Sequence, residues 1–236
     1  MLEPLVMIPG LMADARIFAP QLDALSPLMP VMVALPIGGR TVEEISATLL
    51  PKLPDRCAIL GQGLGGDVAL DLFRRAPKRI SRLVLIGADP LAETPQGAAT
   101  RELRRVGVKA GRLLDVMAED YPDAALAPGD GRPAIRGLIR SMAENLGEAV
   151  YLAQSEALAR RPDQQKTLRK VPVPALILAG ANDSLVPMRR LEFMAEMMPF
   201  AELQVIAGAG HFPSIETPQA INAALRGFLP GPMLLR

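Results

Sequence analysis

One histidine occurs in the 236 residues, His211, in the run Gly208-Ala-Gly-His211-Phe-Pro directly after the apolar stretch Leu203-Gln-Val-Ile. A second apolar stretch, Ala175-Leu-Ile-Leu-Ala-Gly180, opens into a loop that carries Asp183. A carboxylate beside an imidazole is proton-handling chemistry. The carboxylate orients the ring and stabilises its protonated form, and the ring takes a proton from a nucleophile or from water. Each residue alone has a plainer use. Asp183 can support the turn Asn182-Asp183-Ser184, since Asp side chains bond nearby backbone, and a lone histidine can simply bond a carbonyl. Two such residues just past successive strand ends, where α/β sheets place their sites, favour the pair.

A third feature is the glycine cluster Cys57-Ala-Ile-Leu-Gly61-Gln-Gly63-Leu-Gly65-Gly66, a strand and a very tight turn entering a helix. It has three readings. Gly61, Gly63 and Gly66 satisfy the dinucleotide pattern G-x-G-x-x-G, and Asp89, at the end of the next strand, could serve as the ribose acid. Alternatively, Gly61 and Gly65 flank a nucleophile elbow, G-x-S-x-G, with Gly63 where serine would stand. Glycine tolerates the strained backbone of that position but has no hydroxyl to attack a carbonyl. The third reading is close packing of a helix on a strand. A Rossmann domain normally begins at its motif, whereas two strand–helix units precede this one. The dinucleotide reading would also leave Asp183 and His211 idle.

These residues need elements to position them. Short apolar runs at Leu5–Ile8, Val31–Leu35, Ala58–Leu60, Leu83–Ile86, Ala175–Leu178 and Leu203–Ile206 predict six strands. Their lack of alternation predicts burial on both faces, as in a mostly parallel sheet. Between them the helical period appears, in Leu64, Val68, Ala69, Leu72 and Phe73, and again in Ala220, Ile221, Ala224, Leu225 and Phe228 with Pro218 in the first turn. From Pro90 to Val171 the strand pattern disappears. That stretch holds 13 of the 26 basic and 11 of the 25 acidic residues, with helical segments broken at Pro122, Pro128, Pro133 and Pro162. The expected architecture is therefore α/β: residues 1–89 and 171–236 form the core, and residues 90–170 form a helical cap over one end of the sheet.

Composition narrows the function classes. Half the residues are hydrophobic and 22% are charged, which describes a globular chain. A net charge of +1 supplies no basic excess for phosphates, so nucleic acid is not an expected partner. One cysteine, Cys57, excludes an internal disulfide framework and fits a reducing compartment, and one histidine with one cysteine makes a metal cluster unexpected. The start, Met1-Leu-Glu-Pro, lacks the basic region of a signal peptide, and no apolar stretch is long enough to span a membrane. A cytoplasmic location is expected. With two Tyr, six Phe, no Trp and 12 Met, a pocket is expected to be aliphatic and Met-containing.

On these residues the chain resembles the α/β-hydrolase superfamily over nearly its whole length. Pro9-Gly10-Leu11-Met12 resembles the family's oxyanion loop, Gly61 to Gly66 its elbow, and Gly180 to Asp183 its acid loop. Gly208-Ala-Gly-His211-Phe-Pro-Ser-Ile-Glu216-Thr-Pro resembles its histidine loop and is the most specific of these matches. The resemblance implies an α/β-hydrolase fold of about six strands lacking the first hairpin. It also implies hydrolysis of an ester-like bond (carboxylester, lactone or thioester) with no cofactor. The catalytic positions would be Gly63, Asp183 and His211, and the backbone N–H groups of Leu11 and Leu64 would form the oxyanion hole. The substrate would be a small molecule. Gly63 departs from the family pattern: either a serine has been replaced in this chain, or the chain is a naturally non-hydrolytic relative. Retention of the Asp183–His211 pair argues for the former. The expectation is low or absent activity; the alternatives are a non-catalytic binder of small ligands and a dinucleotide-dependent oxidoreductase.

Overall fold

A computed structural model describes residues 3–231; residues 1, 2 and 232–236 of the expected core lie outside the described residues. Strands β1 (Leu5–Ile8), β2 (Val31–Val33), β3 (Cys57–Gln62), β4 (Ile80–Ile86), β5 (Ala175–Gly180) and β6 (Ala201–Ile206) form one sheet. Its order is β2-β1-β3-β4-β5-β6, and every pairing is parallel. The order reverses between β1 and β3, and at such a switch point the two following loops diverge and leave a crevice beyond the strand ends. The loop after β1 carries Leu11, and Gly63 follows β3 directly.

All four central strands are fully buried, as their unbroken apolar runs require. The edges differ from the expectation. β2 is only half-buried, and β6 exposes Glu202 and Val205. An edge strand has a neighbour on one side only, and polar residues along it discourage pairing with another chain.

The helices of the sheet layers are α1 (Ala19–Leu25), α2 (Val42–Leu49) and α3 (Leu64–Arg75). Between β4 and β5 lie α4 (Pro95–Lys109), α5 (Leu113–Asp120), α6 (Arg132–Ala159) and α7 (Gln165–Leu168). After β5 come α8 (Met188–Met197), α9 (Pro213–Glu216) and α10 (Pro218–Phe228). One group of contacts runs α2–α3–α7–α8 and another joins α1 to α10. No strand lies between β4 and β5.

Proline punctuates that stretch as its chemistry dictates, with one change. Pro122 and Pro128 lie between α5 and α6, and Pro162 follows the end of α6. Pro133 instead sits in the first turn of α6 and starts the helix where a break was expected, because a first-turn proline gives up an N–H that has no helical partner anyway. α6 bends at Gly147, where φ of +78° interrupts the helical backbone.

Candidate active site

The turn from β3 into α3 is sharp enough to exclude side chains at Gly61 and Gly65 and to strain the backbone at Gly63. A Cβ on Gly61 would run into the Gly65 carbonyl oxygen, and one on Gly65 into that of Ile8. Gly63 itself has φ of +50° and ψ of −120°, a conformation that costs an L-residue of order 1–3 kcal/mol. Its N–H donates to the Ile86 carbonyl at 2.9 Å, and its own carbonyl accepts from Gly66 at 2.8 Å. Gly63 therefore stands at the first turn of α3, facing the crevice.

Asp183 and His211 meet there. Nδ1 of His211 lies 2.9 Å from Oδ2 of Asp183, with the carboxylate only 2% exposed and the imidazole 9%. The other carboxylate oxygen accepts from the N–H groups of Leu185 (2.8 Å) and Val186 (3.2 Å), which hold the acid in place. The second ring nitrogen points the other way: a Cβ built on Gly63 lies 3.8 Å from Nε2 of His211. Gly87, at the end of β4, also has a positive φ (+51°). A Cβ there would press on the imidazole at 3.2 Å from Cε1, so its absence leaves room for the ring.

The loop after β1 completes the crevice. Gly10 Cα lies 3.8 Å from the same Gly63 Cβ position. Neither the Leu11 nor the Leu64 N–H has a hydrogen-bond acceptor among the described residues. The loop is held from the segment between β4 and β5. Tyr121 donates its hydroxyl to the Leu11 carbonyl at 3.0 Å, and Gln154 accepts from the N–H of Met12 at 2.8 Å. Met12 carries a φ of +52°, unusual for a side-chain-bearing residue. Burial pushes the Tyr121 phenol well above its usual range, so it stays neutral as a donor.

The histidine loop is fixed in the same way. The His211 N–H donates to the Ala125 carbonyl at 2.7 Å. Glu216 accepts from Gly210 (3.0 Å), Phe212 (2.8 Å) and Ala127 (2.7 Å), tying this loop to the turn before α6. Gln62, next to Gly63, donates to the His211 carbonyl at 3.2 Å and accepts from Ser214 at the same distance. Sequence reasoning missed Gln62, Gly87, Tyr121 and Gln154. Each acts through a partner more than a hundred residues away or through a shape, and neither leaves a local signal.

Over Gly63 and His211 lies a cavity of about 350 Å³. The expected methionines are absent from its lining among the described residues, and the expected aliphatic character is only part of it: beside Leu11, Leu64, Leu158, Leu185 and Val186 it presents four arginines and four acids besides the histidine. The charged groups come mostly from residues 89–161, where they pair with one another and so tolerate burial. Asp89 is among them, engaged by Arg161 and Arg190. A ribose-binding carboxylate would have to leave those partners.

A parallel sheet with a glycine-built strand–helix turn at its switch point, and a histidine–carboxylate pair over that turn, defines an α/β protein of hydrolase architecture. The chain belongs to the α/β-hydrolase fold family, whose model matches residues 40–218. It is similar to a pimeloyl-[acyl-carrier protein] methyl ester esterase of Aromatoleum aromaticum, 34% identical over 208 residues and covering 82% of each chain. Among solved structures it resembles a thermophilic esterase from Thermogutta terrifontis, with a TM-score of 0.87 at 22% identity over 97% of this chain and 89% of that one. It also resembles an enol-lactonase from Burkholderia xenovorans, with a TM-score of 0.85 at 21% identity over 98% and 92%. At these identities the structural likenesses concern the fold. Among the described residues no helix is long and apolar enough to cross a membrane.

Proposed function

We propose that this chain is an ester hydrolase scaffold, for a carboxylester, lactone or thioester, in which Gly63 occupies the nucleophile's place. As it stands, it binds an ester and turns it over slowly or not at all. The observation that carries this reading is the 3.8 Å separation between a Cβ at Gly63 and Nε2 of His211, with Asp183 on the opposite ring nitrogen. One bond beyond that Cβ, a serine hydroxyl reaches the range of a hydrogen bond, roughly 2.5–3.0 Å. The esterase relatives support the same class of reaction.

With serine present the steps follow from the geometry. Oγ attacks the ester carbonyl while His211 takes its proton at Nε2, and Asp183 stabilises the resulting imidazolium. The carbonyl oxygen becomes an oxyanion facing the free N–H groups of Leu11 and Leu64, which need no side-chain chemistry for this task. His211 returns the proton to the departing alcohol or thiol, and water then cleaves the acyl-enzyme by the same route. Residues 90–170 serve as the cap that covers this site. The buried, unpaired Cys57 fits action in a reducing compartment such as the cytoplasm.

The test is Gly63→Ser, assayed on a panel of acyl esters, lactones and thioesters and treated with a fluorophosphonate probe. Its rate should exceed that of the glycine form roughly a thousandfold or more. The label should sit on the new serine and vanish on adding His211→Ala. The strained φ should make the variant less stable by of order 1–3 kcal/mol. A folded Gly63→Ser protein that neither labels nor turns over any substrate would instead select a non-catalytic binder of small ligands. Tight stoichiometric binding of NAD(H) or NADP(H) would select the oxidoreductase.

A further inference from the structure

One part of the cavity lining is a chain of charges. Arg101 Nε lies 2.9 Å from Glu93, whose other oxygen is 3.8 Å from Arg161. Arg161 in turn lies 3.3 Å from Asp89, and Asp89 lies 3.5 Å from Arg190. Three guanidiniums therefore share two carboxylates, and three of the four separations exceed a good charge-assisted hydrogen bond, about 2.7–2.9 Å. The Nε of Arg161 is buried with no hydrogen-bond acceptor among the described residues. Arg104, the fourth cavity arginine, has a carboxylate of its own in Asp120 at 2.7 Å, although its Nε is likewise buried without a hydrogen-bond acceptor among the described residues.

Asp67, one turn into α3 from Gly63, would be the natural third carboxylate, but it does not take that place. It is buried, it lines the cavity, and neither of its oxygens has a hydrogen-bond partner. The charges it feels are those of Arg161, Asp89, Arg101 and Glu93, and burial outweighs them, pushing its carboxyl up to about 7. Near neutral pH much of it carries a proton. The wall then holds one positive charge more than its carboxylates balance, with guanidinium donors left over, inside the cavity that ends at Gly63 and His211.

We propose that the Arg101–Arg161–Arg190 wall is a subsite for a carboxylate at the far end of the substrate, so that the preferred ester is a monoanionic one, such as the half-ester of a dicarboxylic acid. Guanidinium forks suit a planar carboxylate, which would take up the donors that Glu93 and Asp89 leave unfilled. This rests on the hydrolase reading for the word ester, but not for the anion. Binding needs no nucleophile, so the chain can be tested as it exists.

The experiment is calorimetric titration of the Gly63 protein with monomethyl succinate, glutarate and adipate against the corresponding dimethyl esters. At least one half-ester should bind about tenfold or more tightly than its neutral diester. Arg161→Gln should remove that preference, and Arg190→Gln should weaken it and serves should the first variant fail to fold. Equal or tighter binding of the diesters, tighter binding of a choline ester, or an undiminished preference in both variants would overturn the proposal. Turnover by Gly63→Ser is read separately. An inactive serine variant that keeps the carboxylate preference sinks the hydrolase reading alone, and an active one without the preference sinks the subsite alone.

Discussion

Replacing Asp67 with Asn should change stability little below about pH 4 and stabilise the protein progressively as pH rises to about 7. Asp67 lies on α3 with both oxygens buried and unpartnered, so its charged form has lost water and gained no donor in exchange. Burial raises its carboxyl from 3.8 to about 7. An acid whose value is raised on folding keeps its proton in the folded chain where the unfolded chain has released it. The stability of that neutral form is present in full below about pH 4 and is lost as pH rises to about 7. At about 1.4 kcal/mol per pH unit, the roughly three units between those values make the loss on the order of 4 kcal/mol. Asn has the shape of the neutral acid and no charge to desolvate, so Asp67→Asn should escape it. Urea unfolding of both proteins at pH 4, 5, 6, 7 and 8 measures this directly. The curves of stability against pH should approach one another toward pH 4 and separate up to about pH 7, with the variant above and the gap constant beyond. Parallel curves, or a variant less stable at pH 8, would show Asp67 ionised and held by a donor, and the burial argument would fail.

Two further substitutions probe how the site is held. Gly65→Ala should destabilise by roughly 3 kcal/mol or more, because the new methyl would enter the Ile8 carbonyl oxygen and lie 2.7 Å from that of Pro9; chemical denaturation checks it, and a loss under 1 kcal/mol would mean the turn is looser than described. Glu216→Ala should strip three backbone N–H groups of their acceptor. In the Gly63→Ser background it should lower kcat more than it raises KM, and an unchanged kcat would show that the histidine loop keeps its position without it.

Legibility in the sequence followed from how local each signal is. Buried parallel strands need unbroken apolar runs, so all six strands could be read, although the ends of β3, β4, β5 and β6 extend past the apolar residues into positions that only pairing defines. The glycine turn rests on close backbone approaches between β3, α3 and β1 at Gly61 and Gly65, and a sharp turn needs small residues wherever it occurs, so Gly61, Gly63 and Gly65 were visible as a motif. Asp183 and His211 were visible because each closes a strand, and their meeting at 2.9 Å follows once β5 and β6 pair in parallel register. The cavity wall could not be read this way. Arg101 on α4, Arg161 just past the end of α6 and Arg190 on α8 lie far apart in the chain, the first two amid a charge-rich stretch that looks like solvated helix surface. Only packing of those helices over the strand ends removes the water and makes their charges count. Asp67 was hidden for the same reason: on α3 it is one polar residue beside an apolar stripe, and nothing in its neighbours along the chain tells that both its oxygens end without a donor. Composition and local pattern determined the fold and the Asp183–His211 pair. Burial, which depends on everything folded around a residue, decided what the pocket is made of.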